Sequence, residues 1–159
     1  MNEAYDGGCE CGQVRYRLSS APIAVNCCHC RDCQRITGSA FAINAMIETE
    51  RVELTKGEPA KSSLNRAGAG DTSAWRCGHC GTLLYADHPL MGDGLRFVRA
   101  GTLDQAERLT PDAHFFVRSK HPWVVVPAGV PAFDTLPGNG VGVELGTEAK
   151  ARLAAAMAR

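Results

Sequence analysis

Eight cysteines in three groups are the residues of this chain best suited to chemistry. Cys9 and Cys11 form a CxC pair in the string GGCECG. Cys27 stands directly before Cys28, His29, Cys30, Arg31, Asp32 and Cys33, a CHCxxC run. Cys77, Gly78, His79, Cys80 and Gly81 make a CxxCG knuckle. Such a knuckle turns tightly enough for both sulfurs to reach one metal, at about 2.3 Å from a zinc. Glycines at 78 and 81 permit positive φ where the chain rounds the ion. A CxC pair needs more bending, because side chains i and i+2 on a flat strand stand about 7 Å apart. Gly7, Gly8 and Gly12 supply that freedom. Cys9, Cys11, Cys77 and Cys80 can therefore close one four-cysteine site that ties residue 9 to residue 80.

Cys28, Cys30 and Cys33 place three thiolates within six residues. They can fill three corners of a tetrahedron and leave the fourth for water, a substrate thiolate or a neighbour. Structural zinc sites are closed, whereas catalytic ones keep a position open, so this asymmetry is the main functional signal. Other readings of the same spacing stay open. Cys30 and Cys33 can join Cys77 and Cys80 in a ribbon. Cys27 or a histidine can close the second site as its fourth ligand; Cys27 otherwise reads as a buried neighbour. Disulfides fit poorly. Met1 to Gly12 has neither the basic nor the apolar region of a signal peptide, and reducing compartments favour metal-binding or catalytic thiols.

Around these groups, His29, His114 and His121 are the acid–base candidates. His29 and His79 read as solvent-facing spacers between ligands, and His114 as a packed strand residue. Arg31, Arg35 and Arg76 flank ligands and can offset thiolate charge or bind a substrate carboxylate. Trp75 and Trp123 read as core aromatics.

The elements that must position these groups are mostly short strands. Val14, Tyr16 and Leu18 alternate, as do Phe41 with Ile43 and Val52 with Leu54. Leu83 to Tyr85, Phe97-Val98, Phe115 to Val117 and Trp123 to Val126 are β-prone runs, mostly bounded by Gly, Pro, Asn or Asp. Arg31 to Thr37 predicts a short helix ending at Gly38. Thr147 to Arg159 predicts a second, with Thr147 as N-cap and Leu153 and Met157 on one face. Asn65 to Ser73 reads as a mobile loop, and residues 129–142 as an irregular connection. The expected organisation is one domain over residues 1–144 with a helix over 145–159 packed on it.

The 159 residues suit a single core, and 17 basic residues balance 17 acidic ones. That balance gives no sign of a nucleic-acid or membrane-surface partner. No apolar run approaches the roughly 18 residues of a membrane span. A cytoplasmic location is expected.

The strings GGCECGQVRYRL, CCHCRDCQRITGSAF and WRCGHCGTLLYAD, with the later AGTLD and HFFVRSKHPWVVVPAGVPAFD, resemble the glutathione-dependent formaldehyde-activating enzyme family. Centromere protein V shares this domain. The resemblance runs from about Gly7 to Asp134, and the ordered set CxCG, CHCxxC, CxxCG is specific. It implies a mainly β fold: a β-tent of small antiparallel sheets around a structural zinc, with a short C-terminal helix here. It implies Cys9, Cys11, Cys77 and Cys80 as the structural zinc ligands. Cys28, Cys30 and Cys33 would hold a second, catalytic and more labile zinc. It implies carbon–sulfur lyase chemistry on a small thiol and an aldehyde, of the S-hydroxymethylglutathione type, with glutathione as the family's thiol. It also places Ser119 to Trp123 near the metals. Two other classes fit the cysteines alone: a non-enzymatic zinc-binding interaction module, and a thiol redox or zinc-buffering protein.

Overall fold

A computed structural model describes residues 3–66 and 70–159. Over these described residues the fold is mainly β, with eleven strands in two sheets and two short α-helices. The smaller sheet has the order β1 (Tyr5–Gly8), β2 (Arg15–Leu18), β5 (Val52–Lys56). The larger has eight strands. From one edge it runs β11 (Ala132–Phe133), β10 (Ala113–Phe115), β3 (Ala24–Cys28) and β4 (Ala42–Glu48). It continues through β9 (Gly92–Arg99), β8 (Leu83–His88) and β7 (Gly70–Arg76) to β6 (Ala60–Arg66). Neighbouring strands are antiparallel except at β3–β10 and β10–β11, which are parallel.

Side-chain alternation gives the large sheet two working faces. Val25, Ala45, Ile47 and Val98 point to one face and meet Tyr16 and Leu18 of the small sheet in the main core. Ala24, Met46 and Leu95 point to the other, where they pack with Val141 and Ala156. Burying the valine, leucine, isoleucine and methionine side chains contributes about 2 kcal/mol each, and the alanines less. Ala156 belongs to α2 (Thr147–Met157), which docks there. Its approach is close. A Cβ at Gly94 would lie 1.9 Å from the Ala156 carbonyl oxygen, so the sheet needs a bare backbone at that point. Arg152 of α2 donates to Glu48 at 2.7 Å through both Nε and Nη2, next to Arg51 Nε at 3.1 Å.

Several elements differ from the sequence expectation. Helix α1 (Arg31–Thr37) has the expected bounds, ending on Gly38 at φ 63°. Helix α2 starts at Thr147, but its N-cap is Gly146 and no side chain caps it. Its buried residue is Ala156, whereas Met157 is exposed. β10 stops at Phe115, and 117–119 form a 3-10 turn. Residues 123–126 are not a strand. Pro122 and Pro127 cannot donate to a ladder, and Lys120 Nζ instead donates to Val124 O at 2.6 Å. Within the expected loop at 65–73, residues 65–66 and 70–73 are strand, while 67–69 lie outside the described residues.

Candidate metal centres

The first centre bridges the two sheets. β1 runs straight into Cys9 and Cys11, while Cys77 and Cys80 sit on the turn between β7 and β8. The four sulfurs lie within 4.8 Å of one another. Cys9 Sγ is 3.5 Å from Cys11 Sγ, which is 3.7 Å from Cys77 Sγ. Gly12 and Gly81 take φ of 71° and 76°, as the two bends require; Gly78 does not have positive φ. Gly7 and Gly8 serve close packing more than bending. A Cβ at Gly7 would lie 2.7 Å from Thr102 O, and one at Gly8 would lie 2.5 Å from Val14 O.

Hydrogen-bond donors surround these sulfurs. Val14 N–H donates to Cys9 Sγ at 3.2 Å. Thr82 Oγ1 lies 3.1 Å from Cys80 Sγ, and the Thr82 hydroxyl and backbone hold that thiol down to about 5. Donors aimed at sulfur favour the thiolate form that metals require. The cluster can hold a metal ion in a closed four-sulfur shell.

The second centre is built differently. Cys28 ends β3, Cys30 is the N-cap of α1, and Cys33 lies in that helix's first turn. Cys33 N–H donates to Cys30 Sγ at 3.3 Å. The three sulfurs also fall within 4.8 Å of one another. Cys28 and Cys33 are buried and Cys30 is half-buried. The Cys30 and Cys33 sulfurs, with burial added, push the Cys28 thiol well above its ordinary value. Three thiols crowded in this way resist ionising together unless a cation joins them. The donor set therefore fits a thiophilic divalent metal such as zinc.

All three cysteines line one wall of a cavity of about 510 Å³. Phe97, Phe115 and Phe116 supply apolar lining, while Arg31, Arg99 and Arg118 face it with Asp32 and Asp87. Phe116 sits at φ 57°, a conformation that a bulky non-glycine residue rarely adopts. Its ring packs against Cys28, Cys33 and Ala42. Nothing in the local sequence signals this strained residue.

Behind this centre lies a third group that sequence reasoning missed. Alternation along β3 and β10 turns Cys27 and His114 to the sheet face opposite Cys28. Their ligand atoms and that of His29 lie within 4.8 Å of one another, all buried. His29 is 0% exposed, so it is not the expected solvent-facing spacer. Its Nε2 is 2.9 Å from His114 Nδ1 and 3.6 Å from Cys27 Sγ. Burial, with His114, Lys120 and His121 adding to it, pulls the His29 imidazole down to about 4. Burial, with the nearby Cys33 sulfur adding to it, pushes the Cys27 thiol up to about 12. Cys27 is thus a buried neighbour rather than part of the three-sulfur group.

The remaining candidates scatter. His79 is exposed, as a spacer would be. His114 is packed and hydrogen-bonded in β10. His121 stacks on Trp123 at 5.5 Å, and Trp123 is 72% exposed, so it is not a core aromatic. Trp75 is half-buried between Tyr85 and the Arg96 guanidinium. Arg35 is exposed on α1, and Arg76 reaches Gly81 O at 3.5 Å beside the first centre. Ser119 lines the cavity, and its carbonyl accepts from Gln34 Nε2 of α1 at 2.9 Å.

The profile of the family described as glutathione-dependent formaldehyde-activating enzyme matches residues 4–119, and the chain belongs to that family. No curated protein matches the chain. A crystal structure of a Rhodobacter sphaeroides protein is similar over 63% of this chain and 88% of its own, at 18% identity and a TM-score of 0.46. A likeness of that degree carries no weight for function.

Proposed function

We propose that this protein is a zinc-dependent, carbon–sulfur lyase-like enzyme that joins a small thiol to an aldehyde and releases them again, as in S-hydroxymethylglutathione. One contrast carries the reading. The four-cysteine group can supply all four corners of a tetrahedral site, whereas Cys28, Cys30 and Cys33 supply three and line a cavity large enough for a small substrate.

Cys9, Cys11, Cys77 and Cys80 would hold a structural zinc. Cys28, Cys30 and Cys33 would hold the second. A zinc bound there lowers the pKa of a thiol and polarises a carbonyl oxygen. The chain's own residues do the rest. The Cys33 N–H fixes Cys30, and Gln34 Nε2 donates to His29 O at 2.8 Å, which holds the loop between the ligands. Phe97, Phe115 and Phe116 give the cavity an apolar lining. In the forward reaction a sulfur–carbon bond forms at the aldehyde carbon. The carbonyl π pair moves to oxygen, and the thiol proton ends on that oxygen as a hydroxyl. The reverse breaks the same bond. A cytosolic setting, with reduced thiols, suits this chemistry.

Carbon-13 NMR exchange spectroscopy with labelled formaldehyde and glutathione tests the proposal. The wild-type protein is expected to accelerate adduct formation and breakdown, and Cys30→Ser to lose that acceleration while staying folded. Equal exchange rates with and without protein, across several small thiols, would leave the chain as a non-enzymatic zinc module.

A further inference from the structure

A row of polar side chains crosses the cavity floor close to the three cysteines. Asn26 of β3 pairs with Asn44 of β4, and Asn44 pairs with Arg99 of β9. All three are buried and all line the cavity. Cys28 lies two residues beyond Asn26 on the same strand face, about 7 Å along. Asn44 Nδ2 donates to Asn26 Oδ1 at 3.0 Å, and Arg99 Nη1 donates to Asn44 Oδ1. The polarity therefore runs one way, from the guanidinium through Asn44 to Asn26. Asn26 carries the last amide donors of the row.

Such a row is costly beside Ala24, Met46, Leu95 and Phe97 on the same face, whose other buried charge, Glu48, is matched by Arg152 and Arg51. Packing alone would select apolar residues there. A guanidinium offers a planar fork matched to a carboxylate, which a lysine does not. Arginines 31, 99 and 118 outnumber Asp32 and Asp87 at the cavity. Asp87 moreover already accepts from Ser73 N–H at 2.6 Å. Arg99 also lies within electrostatic reach of Cys33.

We propose that Asn26, Asn44 and Arg99 form a carboxylate-recognition site, which holds an acid-bearing thiol by its carboxylate so that its sulfur faces Cys28, Cys30 and Cys33. This rests on the functional reading above and narrows its substrate class to thiols with a carboxylate a few bonds from sulfur. Asn44 orients the guanidinium. Arg99 sets the preference for an anion.

Isothermal titration calorimetry on the zinc-loaded protein tests this with 3-mercaptopropionate and its uncharged amide. The wild type is expected to bind the acid about tenfold more tightly than the amide, as one charge-assisted interaction supplies. Arg99→Gln is expected to bring the two to parity while amide binding stays within about twofold. Asn44→Asp keeps the arginine but gives it an internal carboxylate, so it too should abolish the preference; it decides the matter if Arg99→Gln fails to fold. Arg118→Gln, at an exposed cation on the same cavity, should retain the preference. Parity in the wild type overturns the proposal, as does a preference that survives both Arg99→Gln and Asn44→Asp or that disappears with Arg118→Gln. The formaldehyde exchange assay, run on the same thiols, separates the two claims. Turnover without acid preference removes only the carboxylate site. Acid preference without turnover upholds the site and removes only the lyase reading.

Discussion

His29 Nε2 lies 2.9 Å from His114 Nδ1, joining the residue between Cys28 and Cys30 to a strand 85 positions away. Both rings are buried and stack at 5.2 Å between centroids. His29 follows Cys28 and precedes Cys30, so anchoring its ring fixes where both sulfurs stand.

His114→Ala should therefore loosen the second centre without touching a ligand. Loss of a buried partner is expected to cost about 2 kcal/mol in urea unfolding. Zinc bound by Cys28, Cys30 and Cys33 should leave about tenfold faster, as when an outer-shell partner of a metal site is removed. A chromophoric chelator reads the release in real time. An unchanged fast phase would show that the histidine pair does not position the site.

Gly94→Ala probes the docking of α2. The new methyl would meet the Ala156 carbonyl, a backbone group that cannot rotate away. The helix must shift, at a cost of roughly 1–3 kcal/mol. Urea denaturation should show that loss, with the four-cysteine metal retained. Full stability would mean that α2 sits farther from β9.

Glu48 gives a pH signature. Burial alone would raise its carboxyl, but the Arg152 hydrogen bonds, its own backbone N–H and the Arg51 charge hold it below its ordinary 4.5. As pH falls, the unfolded chain takes up this proton first. The contribution is complete above about 4.5 and is lost as pH drops through the lower folded-state value. Arg152→Met is expected to destabilise the protein by about 2–3 kcal/mol at neutral pH, less than a fully orphaned buried charge because Arg51 remains. That difference should shrink in acid. Urea midpoints at neutral and acidic pH measure it, and a difference independent of pH would refute the assignment.

The grouping of the cysteines was legible in the sequence, because each half-site is local. CxC and CxxCG each bring two sulfurs together at a bend, with Gly12 and Gly81 at positive φ, and Gly38 marks the end of α1. What was illegible depends on partners distant in the chain. Nothing beside His29 shows that His114 will cover it. Residues 123–126 look like a strand by composition, yet the flanking prolines and the Lys120 ammonium hold them otherwise. The β6–β7 hairpin was missed because Ala60 to Ser63 lack strong apolar alternation; β6 lies at a sheet edge and needs to bury little. The polar row of Asn26, Asn44 and Arg99 appears only when three strands separated in sequence are set in register.

The two centres should also differ in what they do for the fold. Cys9→Ser removes a ligand that joins the small sheet to the β7–β8 turn, so its thermal midpoint should fall by about 10 °C or more. Cys30→Ser opens a site set beside a cavity, and its midpoint should move by only a few degrees. Differential scanning calorimetry compares them. Equal shifts would contradict the division into a structural and a working centre.

Zinc content per chain, measured by elemental mass spectrometry on protein purified without chelator, tests the central claim most directly. The account predicts about two zincs in the wild type and about one in Cys30→Ser. About one zinc in both proteins, not raised by added zinc, would contradict a second metal centre at Cys28, Cys30 and Cys33 and remove the basis for the proposed catalysis.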